Sequence, residues 1–474
     1  MWPPVRERTV MNLRGLVGLW TGKGAITATR LLGRGGTTLP GTVARRIAPD
    51  ILRSLSAQPD KGVIAVSGTN GKTTTAKMLS AMFEAAGQSV THNRAGANLI
   101  SGLTTAFLQN ATWVGRVKGS VGLMEVDEAT MPQACKEIRP RAAIVTNFFR
   151  DQLDRYGELE HTVNFVGRGL DQLAKGAKAA LNADDPNCAG LGRRDGVNGF
   201  YYGIQDESVG TPEMNQTSDA KHCVVCGTEY NYKVFYYAHL GKYRCPKCGH
   251  QRPEPQVYVD RIWDMDARGT SLHMVTPAGD FETRLQIPGL YNVYNALAAA
   301  AGALAMGLPL DAVKAGLSTT TSQFGRMELI HMNDRDVYMA LVKNPVGFNS
   351  VIQTVMTGGA GKNIIICIND LYADGTDISW LWDVDFEAFA ARNEEINYVI
   401  CSGLRAEDMA VRLKYAGLDV TKLTVEKDMG KALEAGLSRV KPGELVYIMP
   451  TYTAMLQMRE MIQKQGYTKK FWEV

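Results

Sequence analysis

Cysteine is scarce in this sequence, with 8 cysteines among 474 residues. A scaffold held together by disulfides needs a far higher density of cysteine, so that class of protein is excluded. Long hydrophobic runs are missing as well. The longest, Ala296–Leu310, contains Gly302 and Gly307 and is shorter than the roughly 18 residues that a membrane span requires. We therefore expect a buried helix at this position.

The first residues lack the features of a secretory signal. Arg14 and Lys23 interrupt the apolar stretch, and no cleavage site of small residues follows it. Together with the low cysteine content, this predicts a cytoplasmic protein.

An excess of charge of one sign is also absent. The chain has 52 Lys and Arg against 48 Asp and Glu, a net charge of +4, which is too small for a dedicated nucleic-acid-binding protein. Residues 1–55 are the exception, because nine basic residues stand against only Glu7 and Asp50. This basic, amphipathic segment either packs on the body with its basic face in solvent or contacts anionic lipid at the inner face of the membrane.

Short apolar runs alternate with helical patterns from residue 62 onward, which predicts an α/β fold with parallel strands. Ligands bind at the carboxyl ends of such strands. The strands are expected at Val63–Val66, Ser120–Glu125, Ala142–Asn147, Ala177–Asn182, Asn363–Asn369, Tyr398–Ser402, Lys422–Val425 and Glu444–Met449. An alanine-rich helix is expected over Asn292–Leu308 and a linker over Ser318–Arg326. We divide the chain into residues 1–55, 56–325 and 326–474, with an insertion at 218–255.

A phosphate-binding loop follows the first strand. In such a loop, backbone N–H groups and the N-terminus of the next helix bind phosphate oxygens. Lys72 is expected to neutralise the β- and γ-phosphates, and the Thr73 hydroxyl to bind Mg²⁺. Val66 stands where the general pattern has glycine, so this is the shorter Gly-x-x-Gly-Lys-Thr form. The predicted ATP-binding residues are Gly68, Thr69, Asn70, Gly71, Lys72, Thr73 and Thr74.

Glu125 ends a predicted strand and supplies a carboxylate of the kind that Mg²⁺ prefers. Asp127 and Glu128 follow closely. Either of them competes for the same role or caps the helix that follows. Thr73 and Glu125 are therefore the predicted magnesium ligands.

Four cysteines lie in two Cys-x-x-Cys pairs with 18 residues between the pairs, at Cys223, Cys226, Cys245 and Cys248. This spacing is typical of a Cys₄ zinc ribbon, in which the four thiolates close the coordination sphere. The predicted zinc is structural. Lysines and tyrosines nearby would allow nucleic-acid binding, but one small patch is weak support, and no nucleic-acid partner is expected.

These motifs together resemble the Mur ligase superfamily, which includes the folylpolyglutamate synthetases. The resemblance implies a P-loop ATPase central domain followed by a Rossmann-like C-terminal domain. It also implies that Asn292 and Asn295 contact adenine and that Arg326 reaches the nucleotide from the next domain. Such enzymes activate a carboxylate as an acyl phosphate, which an amine then attacks. The motifs that carry the resemblance are 68–73, Glu125, 146–147, 151–154, 181–185, 289–296 and 325–328.

Within that superfamily the chain looks most like the MurT branch, the synthetase subunits of lipid II isoglutaminyl synthase. This implies amidation of the α-carboxylate of D-glutamate in the stem peptide of lipid II. It also implies a heterodimer with a class I, GatD-like glutaminase that supplies ammonia. In agreement, no cysteine of this chain lies in a Gly-x-Cys-x-Gly nucleophile turn. The segments that carry this resemblance are 149–158, 343–347, 372–380 and 450–456.

Asp374 and Asp377 follow a predicted C-terminal strand, where a carboxylate could take a proton from ammonium. Both also lie in ordinary turn sequences. At least one is expected to be catalytic, together with Lys72 and Glu125, and Asp377 is slightly favoured.

Two other functions stay open at this point. An amino-acid-adding Mur or folylpolyglutamate-type ligase usually has an Asp-Tyr-Ala-His-type segment, but residues 340–345 read Ala-Leu-Val-Lys-Asn-Pro. A non-catalytic nucleotide-binding scaffold would not need Lys72, Thr73 and Glu125 together.

Overall fold

The computed structural model describes residues 11–31, 37–93, 97–150, 159–213, 220–266, 268–321, 326–332, 334–356, 361–441 and 444–468. Three N-terminal helices lead into a large α/β unit with a small cysteine-rich hairpin, and a second α/β unit follows. The N-terminal helices are α1 (Leu13–Leu31), α2 (Leu39–Ile47) and α3 (Ile51–Ser56).

The central unit is built on a nine-stranded sheet with the order β11-β10-β9-β6-β5-β4-β1-β3-β2. In this order β9, β6, β5, β4, β1, β3 and β2 each run parallel to the next strand. The remaining strands, β10 and β11, form an antiparallel edge with β9. The strands are β1 (Val63–Ser67), β2 (Val90–His92), β3 (Val121–Glu125), β4 (Ala142–Val145), β5 (Lys178–Asn182), β6 (Asn198–Ile204), β9 (Val257–Asp266), β10 (Gly269–Thr276) and β11 (Gly279–Leu285). A separate antiparallel pair, β7 (Asn231–Tyr237) and β8 (Leu240–Arg244), forms the hairpin of the insertion.

Helices cover both faces of this sheet, so the central strands are buried on both sides and carry continuous apolar runs. The alanine-rich α9 packs on one face with α4 and α10. The N-terminal helices, α5, α6 and α7 cover the other face. The helices after α3 are α4 (Lys72–Ala85), α5 (Ile100–Asn110), α6 (Met131–Ile138), α7 (Leu159–Leu170), α8 (Pro186–Gly190), α9 (Leu290–Ala305) and α10 (Leu310–Thr319).

The C-terminal unit has a six-stranded sheet with the order β12-β13-β17-β14-β15-β16, in which only β12 runs antiparallel to its neighbour. Its strands are β12 (Arg326–Met332), β13 (Arg335–Ala340), β14 (Lys362–Cys367), β15 (Ile396–Ser402), β16 (Leu423–Val425) and β17 (Leu445–Pro450). Its helices are α11 (Pro345–Met356), α12 (Glu387–Ala390), α13 (Ala406–Tyr415), α14 (Met429–Arg439) and α15 (Tyr452–Lys464).

The predicted parallel α/β order is confirmed in both units, and the expected buried helix is α9. None of the helices in the described part of the chain has the length and apolarity that crossing a membrane requires. The expected linker begins too early, because α10 continues through Ser318 and Thr319, and residues 322–325 lie outside the described residues.

Candidate functional site

The phosphate loop joins β1 to α4 and packs tightly against its surroundings. Gly71 has a φ of +87°, and a Cβ there would lie 2.1 Å from Oδ1 of Asn295 on α9. Only glycine fits this backbone conformation and this space. The loop therefore touches the asparagine helix directly.

The segment after β4 holds the same loop from the other side. The N–H of Thr69 donates to the carbonyl of Asn147 at 2.9 Å, and the N–H of Asn70 donates to Asn147 Oδ1 at 2.9 Å. The Thr146 hydroxyl donates to the Asn70 carbonyl at 2.7 Å. β4 ends at Val145, earlier than the expected Asn147, because Thr146 and Asn147 use their polar groups on the loop.

The ammonium group of Lys72, two carboxylates and one imidazole lie close together at the start of α4. Lys72 Nζ lies 2.7 Å from Glu128 Oε1 and 2.5 Å from the Gly68 carbonyl oxygen. The Thr73 hydroxyl donates to Glu125 Oε2 at 2.9 Å, and His92 Nε2 lies 3.2 Å from Glu125 Oε1. Glu125 is 2% exposed. A buried carboxylate beside a hydroxyl at a phosphate loop is the donor set that fits Mg²⁺.

The two acids that competed with Glu125 in the sequence occupy different places. Asp127 caps the short helical turn that follows it, since its Oδ1 accepts the N–H of Ala129 at 3.2 Å. Glu128 pairs with Lys72 instead. Asp127 thus takes the capping role, and Glu128 belongs to the site.

The C-terminal unit reaches the phosphate loop through the residues that follow β13. Lys343 Nζ lies 3.4 Å from the Thr69 carbonyl oxygen, and Asn344 Nδ2 lies 3.2 Å from Asn70 Oδ1. Both units therefore bound one cleft. Its lining residues are Asn70, Gly71, Thr74, Asn147, Tyr237, Leu240, Tyr291, Asn292, Tyr294, Asn295, Met327, Ala340, Leu341, Lys343, Gly347, Ser350 and Val351.

The predicted adenine residues lie in this cleft. Asn295 Nδ2 donates to Asn292 Oδ1 at 3.0 Å, and Asn292 Nδ2 donates to the Pro288 carbonyl at 2.6 Å. Both asparagines are buried. Arg326 begins β12, and its side chain lies outside the described residues.

Asp374 and Asp377 lie on the loop after β14, at the same edge of the sheet as Lys343, because β13, β17 and β14 are parallel. Asp374 is buried and accepts the N–H of Thr453 at 2.7 Å and that of Leu371 at 3.2 Å. Burial raises the pKa of Asp374. Asp377 is exposed, and the Ser379 N–H, 2.8 Å away, lowers its pKa.

The four cysteine sulfurs of the insertion all lie within 4.8 Å of one another. Cys223 Sγ is 3.6 Å from Cys248 Sγ, and Cys226 Sγ is 3.5 Å from Cys245 Sγ. These separations are too long for disulfides and close to the about 3.8 Å between thiolates around a tetrahedral zinc with 2.3 Å bonds. Hydrogen bonding with Thr228 lowers the pKa of Cys226 to about 6. The set fits Zn²⁺.

Comparison with known proteins agrees with this arrangement. Residues 66–245 match the Mur ligase middle domain, and residues 341–455 match the MurT ligase C-terminal domain. The fold is similar to that of MurF ligase from Thermotoga maritima in complex with ADP, with a TM-score of 0.63 and 14% identity, covering 89% of this chain and 84% of that one. Fold and site together define an ATP-dependent ligase of the Mur type.

More specific relatives are found at higher identity. The chain is 34% identical over 438 residues to subunit MurT of the glutamine-hydrolyzing lipid II isoglutaminyl synthase from Staphylococcus aureus strain COL, covering 92% of this chain and 95% of that protein. It is also 34% identical over 463 residues to the same subunit from Streptococcus pneumoniae strain ATCC BAA-255 / R6, covering 97% and 99%. The chain belongs to the MurT family, and the predicted resemblance is confirmed.

The structure brings together most of the residues that were selected from the sequence, and it adds His92, Lys343 and Asn344. His92 and Lys343 had no assigned role, although each lies within 3.5 Å of a loop or acidic residue of the site. A single histidine in a three-residue strand gives no sequence signal. Lys343 lay inside a segment that resembled the family, which was the available hint. The segment 151–158 lies outside the described residues.

Proposed function

We propose that this chain is the ligase subunit of a lipid II isoglutaminyl synthase. It would use ATP to activate the α-carboxylate of D-glutamate in the stem peptide and join it to ammonia. The observation that carries the proposal is the cleft in which Lys343 and Asn344 of the C-terminal unit contact Thr69 and Asn70 of the phosphate loop. The same loop leads into Lys72 and Thr73, which bond to Glu128 and Glu125. The substrate, lipid II, is inferred from the names of the MurT relatives.

The phosphate loop has a defined task in this scheme. Lys72 pairs with Glu128, and a bound triphosphate would compete for the same ammonium group. Thr73 and Glu125 would hold Mg²⁺, which screens the charge of the phosphates when bound. His92 keeps the Glu125 carboxylate oriented toward Thr73.

The chemistry then runs in two steps. A carboxylate oxygen of the substrate attacks the γ-phosphorus of ATP, ADP leaves, and an acyl phosphate forms. The lone pair of ammonia attacks the acyl carbon, one proton passes to a carboxylate of the enzyme, and inorganic phosphate leaves. Asp377 suits the proton transfer, because its carboxylate is exposed to incoming ammonia, whereas that of Asp374 is buried.

Asp374 suits a different role. Its carboxylate ties the loop after β14 to the start of α15 through Thr453. We propose that Asp374 positions the loop and Asp377 meets the ammonia.

The ammonia would come from a partner glutaminase. Four cysteines outside the insertion are buried, and burial raises the pKa of Cys135 and Cys367 to about 12 and that of Cys188 and Cys401 further. A thiol with such a pKa is not a nucleophile at neutral pH. This supports a heterodimer with a class I, GatD-like subunit.

We propose that the zinc of the Cys₄ site is structural. Four thiolates would leave no open position for a substrate, so the ion would only fix the two cysteine turns.

The surface around α1 fits contact with an anionic bilayer. Exposed apolar residues gather there, and Trp20 Nε1 donates to the Trp113 carbonyl at 2.8 Å. Lys23 Nζ lies 5.5 Å from the centre of the Trp113 ring. No acidic residue occurs between residues 8 and 49 or between 85 and 124. We call this surface the tryptophan patch; it consists of Leu13, Val17, Trp20, Trp113 and Val114.

Amidation of lipid II with ammonium chloride in place of the partner tests the ligase proposal without the glutaminase. Product formation should require ATP and Mg²⁺, and Lys72→Ala should lower the rate by about 10²-fold or more, because the phosphates lose their cation. Lys61→Ala, a change on the turn before β1, is the matched control and should keep the wild-type rate. Full activity of Lys72→Ala would refute the proposal.

A further inference from the structure

The hairpin of the cysteine-rich insertion extends away from the cysteines into the body of the protein. β7 and β8 are joined by Ala238 and His239, and Ala238 has a φ of +47°. This backbone conformation is unfavourable for a residue with a Cβ. Both residues are buried, His239 completely. The surroundings therefore hold the turn in a conformation that it would not adopt by itself.

Two aromatic groups of this turn pack on one residue beside the phosphate loop. The rings of Tyr237 and His239 have their centres 5.5 and 4.9 Å from that of Phe149. The N–H of Phe149 donates to the Thr69 hydroxyl at 3.1 Å, and that hydroxyl lies 3.2 Å from the Phe149 carbonyl oxygen. The side chain of Phe149 therefore lies between the hairpin and the phosphate loop.

The hairpin is also joined to the paired aspartates after β5. The N–H of Gly241 donates to the Asp184 carbonyl at 2.9 Å. His239 Nε2 lies 3.5 Å from Asp185 Oδ1 without the geometry of a hydrogen bond. Asp185 in turn accepts the N–H of Phe148 at 2.7 Å. These contacts fix the hairpin relative to the segment that holds the loop.

The same turn reaches the C-terminal unit. The Tyr237 hydroxyl donates to the Val346 carbonyl at the start of α11, at 3.0 Å. Tyr237 and Leu240 line the cleft beside Asn292 and Asn295. One four-residue stretch, 237–240, which we call the ribbon tip, thus touches the cleft wall, the support of the phosphate loop and the second unit.

We infer that the ribbon tip is a wall of the nucleotide-base pocket and a latch on the C-terminal unit, so that metal held by the four cysteines sets the affinity for adenine nucleotide. This inference rests on the proposed function, which places a nucleotide in the cleft. Cys245 directly follows β8, and Tyr230, which directly precedes β7, packs on Tyr243 in the cysteine cluster. Fixing the cysteines therefore fixes the strands that present the tip.

Variants of the ribbon tip test the wall and the latch separately. Binding of N-methylanthraniloyl-ADP is followed by fluorescence anisotropy, with unlabelled ADP as competitor. Leu240→Ala removes apolar contact from the pocket and should raise the Kd about tenfold. Tyr237→Phe removes only the hydroxyl to Val346 and should raise it about threefold. In turnover, KM for ATP should rise while kcat changes little.

Matched controls come from the same hairpin. Val234→Ala removes a buried apolar group, and Tyr232→Phe removes a hydroxyl that bonds within the insertion to Ala220. Neither residue lines the cleft, so both variants should bind within about twofold of wild type. If the tip variants bind as tightly as these controls, the inference is wrong.

Metal removal tests the coupling. Wild-type protein treated with a thiol-competing chelator should bind the labelled ADP about tenfold more weakly, and added Zn²⁺ should restore the affinity. Equal affinity before and after treatment, with the metal shown to be gone, overturns the coupling. If chelation unfolds the chain, the inference is judged on the binding of labelled ADP by the metal-bound Leu240→Ala variant. If untreated wild type binds no adenine nucleotide, the proposed function fails as well, whereas normal binding with insensitive tip variants removes this inference alone.

Discussion

At the scale of single residues, the candidate site depends on a few side chains that hydrogen bonds and ion pairs hold in place. The sequence could predict Lys72, Thr73 and Glu125, because a phosphate loop is a local motif with a fixed spacing. It could not predict His92 or the choice between Asp127 and Glu128. Those assignments depend on which side chains meet across the sheet, and spacing along the chain does not carry that information.

Gly71→Ala is expected to destabilise the protein and to weaken nucleotide binding. The new Cβ would lie 2.1 Å from Asn295 Oδ1 in addition to straining a φ of +87°. We expect a loss of about 2–4 kcal/mol in the free energy of unfolding, measured by urea denaturation. Gly87→Ala is the matched control, since its φ is +71° but nothing lies within 4 Å, and it should lose only about 1 kcal/mol. Equal losses would contradict the contact with Asn295.

Substitutions of Asp374 and Asp377, the two aspartates after β14, should affect stability and activity differently. Asp377→Asn should lower ammonium-dependent amidation by about 10²-fold with unchanged unfolding, because it removes the proton acceptor and no buried contact. Asp374→Asn should lower the free energy of unfolding by about 1–3 kcal/mol, because it disturbs hydrogen bonds to Thr453 and Leu371. Rates and urea midpoints measured on both variants check the assignment. The reverse pattern would exchange the two roles.

At the scale of elements, the alternation of strands and helices could be read from the sequence, because buried parallel strands form continuous apolar runs. β2, with three residues, and the β12–β13 pair were not expected. An edge strand as short as β2 has too few residues to show a period. The packing of the insertion on Phe149 and Asp184 could not be predicted either, because it joins residues that are distant in the chain.

The cysteine ribbon is expected to carry one zinc per chain. Cys226→Ser removes one of four thiolates and should lower the zinc content and expose the hairpin to proteolysis, since a structural zinc supplies much of the folding energy of such a module. Zinc is measured by metal analysis and cleavage by limited trypsin digestion. Cys135→Ser, on α6 away from the ribbon, is the control for zinc content. Full zinc content in Cys226→Ser would exclude the Cys₄ assignment.

At the scale of the whole molecule, two α/β units meet at one cleft, and the tryptophan patch lies on the helices that cover the central sheet. The sequence suggested a basic surface over residues 1–55. The structure places Trp113 and Val114 beside α1 of this segment. Both come from the turn after α5, far away in the chain.

Replacing Trp20 and Trp113 together by alanine should weaken binding to vesicles that contain anionic lipid. Trp20 is 46% and Trp113 62% exposed, and both suit the interface between headgroups and acyl chains. Sedimentation with vesicles should show a loss of about tenfold or more, while amidation of a water-soluble substrate analogue stays unchanged. Tyr415→Ala, an exposed aromatic on α13, is the control. Binding equal to that of wild type would remove the membrane role.

The inner face of α1 adds a constraint on how the chain is made. Gly18 and Gly22 let the helix approach Ala48 and Leu108 so closely that a Cβ would lie 2.8 and 2.7 Å from them. Leu108 lies on α5, so α1 leaves the ribosome before its partner exists. At 5–20 residues per second, roughly 4–15 s separate the synthesis of residue 31 from that of residue 108. During that interval the face of α1 that later packs on Leu108 can pack on α2, Ala48 and α3, its partners in the sequence made before α5.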